Sequence, residues 1–272
     1  MKNLIRCFKK SIFASAGIFL STIVVCVFIW IRNLGNSFYI PLIATGLMFL
    51  IGICSGIILG NVISSSENSR LLSILHVDLD PERFVRKYEC VPNKASKAQR
   101  AIAISYLADG YSAMGQQDKA LQTLSSDFSD RKGNEVLSLR CLYHNNRCHY
   151  MLLKRDVEAA RKEIINFWKV LETTKKENEA LYKNMKEAYL FYRNWLNYYE
   201  GKAVDTIMLS RKIQTVPFLI RRMEMQYLLA MTYERDGRKK DAYNAFNAIV
   251  EKGGKLFIAK DAASHLAKCY KK

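Results

Sequence analysis

The sequence predicts an all-α protein: two membrane-spanning helices at the N-terminus, then an α-solenoid of antiparallel helix pairs. Three observations predict it. Two long runs near the N-terminus carry no charged residue apart from the Arg32 between them. Beyond them, apolar residues recur at intervals of three and four, with Gly and Pro as widely spaced punctuation and no strict alternation. Six positions within 107–124 also recur at identical spacing within 229–246.

Charge divides the chain. Residues 1–66 contain no Asp or Glu and five basic residues, Lys2, Arg6, Lys9, Lys10 and Arg32. Of the 42 Lys and Arg in all, 37 therefore fall on 67–272 together with all 25 Asp and Glu, a net +12. This pattern excludes a disordered chain, a collagenous repeat and a single uniform soluble domain.

The first uncharged run, 11–31, has 21 residues. At ~1.5 Å per residue it is about 31 Å of helix, enough to cross a bilayer core of ~30 Å. The second is densest over 38–63, and Trp30, Phe38 and Tyr39 stand at the junction, where amphipathic aromatics favour the membrane boundary. A cleaved signal peptide is the competing reading of the first run. It is disfavoured by the length of the apolar core, the lack of a small-x-small site before Arg32, and the second run that follows at once.

Positive charge sets the expected orientation. Lys and Arg precede the first span, and Arg70, Arg83, Arg86 and Lys87 follow the second, so both ends are placed in the cytoplasm of a multi-pass cell-membrane protein. Seven cysteines, an odd number without framework spacing, suit a reducing compartment. The short chain and lean connections suit a bacterial protein. Gly52, Gly56 and Gly60 form a ladder on one helix face, which packs on Gly17 and Ser21 of the first span or on another chain. No ionisable residue lies inside either span, so a transport path has no chemical support.

A juxtamembrane linker with a short helix occupies 67–95, and the repeat domain 96–272. Asp80 before Pro81 marks a helix start, because Asp caps free N–H groups and Pro suits the first turn. Helices are expected near 81–90, 96–114, 117–128, 134–153, 156–173, 177–200, 202–213, 218–236, 239–252 and 255–270. Short connections imply antiparallel neighbours stacked in order rather than a closed bundle.

Leu107, Ala108, Tyr111, Gly115, Ala120 and Leu124 recur as Leu229, Ala230, Tyr233, Gly237, Ala242 and Phe246. The alanines belong where two helices of a pair touch, the tyrosines beside them, and the glycines at turns that most residues resist. This pattern resembles the tetratricopeptide repeat, a helix–turn–helix of ~34 residues. Two intervening units are degenerate. One keeps Tyr143, Tyr150 and Ala159 with Lys154 at the turn, and the other runs through Leu190, Trp195, Tyr198 and Gly201. The segment 255–270 reads as a terminal capping helix, and a non-repeat helical domain is the competing fold.

The chemistry-bearing residues are sparse. Cys141, His144 and Cys148 share a helix face and suit zinc in type, but His149 points elsewhere and the spacing matches no usual structural site. His76 and His265 have no partner pattern and read as surface or boundary residues. Gly253-Gly254 between Lys252 and Lys255 is a weak phosphate-loop look-alike that also serves as a plain linker. No phosphate loop, nucleophile elbow or metalloprotease motif appears, so no catalytic residue, cofactor or metal is assigned and an enzyme is not expected.

The basic excess favours acidic partners, either anionic lipid under the anchor or an acidic peptide. Resemblance to the tetratricopeptide repeat implies a peptide or protein in the concave groove of the first helices. The subset that clamps chaperone tails carries Lys and Asn one turn apart, where this chain has Ser105 and Asp109, which argues against that clamp. The expected function is a membrane-anchored scaffold for protein–protein interaction. The alternatives are a membrane-embedded subunit regulated by the repeats and, less favoured, a nucleic-acid binder.

Overall fold

The computed structural model describes residues 17, 20, 21, 23–25, 27, 28, 65–95, 97–124 and 134–270. Every regular element among them is helical. The chain divides into two compact units, Met1–Leu71 and Leu72–Lys272.

In the first unit, the described residues between 17 and 28 are helical, and Leu20, Val24 and Phe28 are 65%, 61% and 64% exposed. Among the described residues no helix is long and apolar enough to cross a membrane. The rest of the expected spans at 11–31 and 38–63, with Gly52, Gly56 and Gly60, lies outside the described residues.

The second unit begins with helical residues 72–76 and continues through α1 (Pro81–Tyr88), α2 (Val91–Lys94), α3 (Lys97–Ala113), α4 (Gln117–Leu124), α5 (Asn134–Lys154) and α6 (Val157–Glu177). It ends with α7 (Glu179–Tyr199), α8 (Thr206–Thr215), α9 (Leu219–Arg235), α10 (Lys239–Lys252) and α11 (Phe257–Cys269). Caps start several of them. Asp80, Asp156, Asn178 and Asp205 each accept from the backbone N–H three residues on, at 2.8–3.1 Å, which satisfies donors left free by the first helical turn.

Neighbouring helices pack in order, as in a helical-repeat solenoid: α3 on α4, α4 on α5, α5 on α6, α6 on α7, α8 on α9 and α9 on α10. The odd-numbered helices α3, α5, α7 and α9 form an inner row through contacts of α3 with α5, α5 with α7, and α7 with α9.

One turn geometry closes all four inner helices. The amides of Gln116, Asp156, Lys202 and Arg238 donate to the carbonyls of Tyr111, Met151, Asn197 and Tyr233, each five residues back, at 2.8–3.0 Å. The residue before each donor is left-handed: Gly115, Arg155, Gly201 and Gly237, with φ of 83°, 64°, 69° and 74°. This is the Schellman-type ending of a helix, which satisfies its last carbonyls.

That common turn corrects the frame expected for the second unit. The left-handed residue is Arg155, not Lys154, and the buried small residue is Ala160, not Ala159. Counting back from the four turns, Ala108, Cys148, Asn194 and Ala230 are equivalent, and all are buried. In the third unit a four-residue link, 202–205, separates the turn from α8. Asn194 serves that link, accepting from the Asp205 amide at 2.8 Å.

The last connection of the stack also touches its first segment. The Lys255 amide donates to the Leu79 carbonyl at 2.9 Å and its ammonium reaches Asp80 at 2.7 Å. Helix α11 then passes the turns of the first two pairs, with Phe257 against Gly115 and Asp261 accepting from Arg155 at 3.3 Å. The segment 72–79, expected as linker, carries the buried Ile74, Leu75 and Leu79. Burial of these side chains favours that arrangement, and Leu79 lies directly against Gly254 of the far end.

Candidate functional site

The inner row carries a chain of polar side chains at its centre. Tyr150 of α5 donates to Asp109 Oδ1 of α3 at 2.6 Å. His149 Nε2, next along α5, lies 3.0 Å from Glu224 Oε1 of α9, without hydrogen-bond alignment. Arg221, one turn before Glu224, donates to its Oε2 at 2.9 Å. Tyr192 of α7 donates to Asn145 Oδ1 at 3.1 Å, and Asn145 in turn to Asn146 Oδ1 at 2.8 Å. All four inner helices therefore contribute, and His149 is surrounded by the rings of Tyr150, Tyr192 and Trp195.

His76 lies against this row, its ring 5.3 Å from that of Phe218 and 6.5 Å from that of Tyr106. Its Nδ1 has no hydrogen-bond partner, and neither do Asn146 Nδ2 and His149 Nδ1. Unpaired polar atoms in such a place are costly.

The electrostatics follow from burial and pairing. Burial pushes the Asp109 carboxyl up, and the Tyr150 hydrogen bond and Arg221 only partly offset it. Burial acts on Glu224 in the same direction, yet His149 and Arg221 together outweigh it and hold that carboxyl at about 2. Burial lowers His76, against the opposing pull of Asp109. Arg221 stays charged: desolvation would lower it, but Tyr192, Glu224 and Asp109 raise it further. Its side chain as a whole is 28% exposed, with the guanidinium engaged by Glu224.

Exposed apolar side chains stand on the same helices. Ile102, one turn before Tyr106, is 43% exposed, and Phe218 is 55% exposed. Elsewhere, an open groove of about 560 Å³ lies beside the first pair, lined by Glu89, Asn93, Arg100, Tyr111 and Lys119 among others. There Tyr111 donates to Glu89 at 3.3 Å and Lys119 sits 4.1 Å above the Tyr111 ring.

The repeated sequence positions lie mostly inside. Leu107, Ala108, Tyr111, Ala120, Leu124, Leu229, Ala230, Ala242 and Phe246 are buried. Tyr233 is half-buried, with the Arg238 guanidinium 4.0 Å over its ring. Ser105 turns back to the Ala101 carbonyl at 3.1 Å, whereas Asp109 joins the central row.

The Cys141, His144, Cys148 and His149 group does not converge. His144 faces Glu163 at 2.7 Å, His149 faces Glu224, and Cys141 Sγ lies 3.3 Å from Thr174 Oγ1. Gly253-Gly254 is a linker whose Lys255 is held by Leu79 and Asp80. The two histidines read as boundary residues are both half-buried. His76 has ring contacts only, with Phe218 and Tyr106, whereas His265 Nδ1 lies 3.2 Å from Glu234 with its ring stacked on Phe246. Donor atoms of Glu234, His265 and Cys269 all lie within 4.8 Å of one another. His265 and Cys269, four apart on one helix, were a readable signal; Glu234 comes from 31 residues earlier and was not.

Comparison with protein-family models, curated proteins and solved structures finds no match for this chain.

Proposed function

We propose that this protein is a membrane-anchored adaptor of the tetratricopeptide type, non-enzymatic, with 1–66 as the anchor and the repeats on the cytoplasmic face of a cell membrane. The observation that carries the reading is the inner row itself. Four helices closed by one common turn carry the exposed Ile102 and Phe218, with the charged Arg221 and Glu224 on the last of the four. An extended segment with an apolar side chain and an acidic group fits that chemistry, and the net +12 of 67–272 favours acidic partners. The exposed Leu20, Val24 and Phe28 on helical residues, unusual on a surface facing water, support the anchor.

Photo-crosslinking in intact membranes tests the inner row. A photoreactive residue at Ile102 or Phe218 should trap one and the same protein, and one at Ile165, exposed on the second-row helix α6, should not. Equal trapping from all three positions would remove the inner row from the account. The anchor is tested separately: Asn36→Cys, as the single cysteine of the chain, should react with an impermeant reagent from outside the cell, and a cysteine at position 272 should not.

A second reading draws on the burial of 72–79. Here the membrane hairpin is the working part of a larger assembly, and the repeats hold the segment that follows it. Removal of 1–66 separates the two readings. The remaining chain should keep its partner if it is an adaptor and lose it if the spans are what bind.

A further inference from the structure

We propose that Glu234, His265 and Cys269 form a binding site for a divalent metal ion of the zinc class. The site lies at the turn end of α9 and the last turns of α11, away from the central row, and does not depend on the adaptor reading.

The donor set is the first argument. Carboxylate, imidazole and thiolate are the three side-chain ligands zinc takes. His265 and Cys269 are four apart on α11 and so share one face. Glu234, in the last turn of α9, meets that face.

Distance is the second. Zinc held by bonds of ~2.0–2.3 Å separates its tetrahedral ligands by roughly 3.3–3.7 Å. Glu234 Oε2 and His265 Nδ1 are already 3.2 Å apart. The donor atoms of all three residues lie within 4.8 Å of one another. Cys269 is exposed and in the final turn, so rotation of its side chain can close the remainder.

The surroundings supply the third argument. The second ring nitrogen of His265 faces Asp261 Oδ2 at 3.9 Å, and a carboxylate behind a ligating imidazole orients the ring and raises its basicity. Asp261 is itself held by the Tyr227 hydroxyl and by Arg155. Stacking on Phe246, with centroids 5.0 Å apart and planes inclined by 10°, fixes the imidazole plane. A simple Glu234–His265 ion pair would account for two residues only. It leaves Glu234 Oε1 buried without a partner. A metal ion takes up the carboxylate, and water completes its coordination shell. Three protein ligands leave that fourth position open to water.

The test uses the full-length protein, reduced, freed of metal by chelation and kept in detergent. Titration with Co²⁺ should give tetrahedral d–d absorption and a thiolate-to-cobalt charge-transfer band that saturate at one equivalent, and Zn²⁺ should displace both. Cys269→Ser should abolish the charge-transfer band. Cys269→Ser and His265→Gln should each weaken Zn²⁺ binding by more than the roughly 10–100-fold that loss of an outer-shell partner costs, while Cys90→Ser, an exposed cysteine elsewhere, changes neither. Glu234→Gln, which keeps the side-chain shape, should weaken Zn²⁺ binding without altering the helical circular dichroism. A charge-transfer band that survives Cys269→Ser, or Zn²⁺ binding equal in all four variants, would overturn the proposal. So would the absence of stoichiometric binding in the parent protein.

Discussion

The hydroxyl of Tyr150 donates to Asp109 across 2.6 Å and ties the first two inner helices together at a point neither helix could satisfy alone. Removing that hydroxyl leaves a buried carboxyl short of a donor. Tyr150→Phe should therefore destabilise the protein by ~1–3 kcal/mol in denaturant titration. Tyr243→Phe, at an exposed position, should stay within about 0.5 kcal/mol of the parent.

Acid should weaken the fold in two stages. His76 is held below its ordinary 6.5 by burial, so an unfolded chain takes up that proton first and stability declines as pH falls below 6.5. Glu224 is held at about 2 rather than its ordinary 4.5, so its contribution is complete above 4.5 and lost between 4.5 and about 2. The second loss is on the order of 3 kcal/mol. Asp109 works the other way, since burial raises its pKa and protonation relieves part of that cost. His76→Asn should flatten the stability profile just below 6.5, and Glu224→Gln the limb below 4.5. Urea midpoints measured across that range read both; unchanged slopes would count against the buried pairing.

Small residues mark where paired helices touch. Ala230 and Ala242 have no exposed surface, and neither does Cys148, the equivalent of Ala230 in the second unit. Ala230→Leu, Ala242→Leu and Cys148→Leu should each cost ~1–3 kcal/mol through overpacking. Lys239→Ala, on the exposed start of α10, should leave the melting temperature nearly unchanged.

Closure of the stack rests on a glycine. At Gly254, φ is 55°, and an added Cβ would lie 2.9 Å from both Leu79 Cβ and Leu79 O. Gly237 is equally left-handed, at φ 74°, but its Cβ would meet nothing. Gly237→Ala should cost only the ~1–2 kcal/mol of the backbone conformation. Gly254→Ala should cost more than Gly237→Ala in melting temperature and speed amide exchange at Lys255, whose N–H bonds to Leu79. Equal effects of the two substitutions would mean that the ends of the stack do not meet.

The sequence by itself determined the helices, because their signals are local. Asp80-Pro81, the apolar spacing of three and four, and the glycines at 115, 201 and 237 each act within one or two turns of the backbone. It did not disclose the frame of the second unit. Arg155 takes a left-handed conformation that its side chain disfavours, and only the surrounding hydrogen bonds, Asp156 N to Met151 O and Arg155 N to Leu152 O, make that choice visible. Nor did it disclose where the polar residues meet. Asp109, His149, Tyr192 and Glu224 come from four helices, and Glu234 and His265 from two, at separations where no periodicity links them. The tertiary structure decided those meetings for a physical reason. Polar side chains that packing takes out of water must find partners, and the partners available to Asp109, His149, Tyr192 and Glu224 are those that neighbouring helices bring against them.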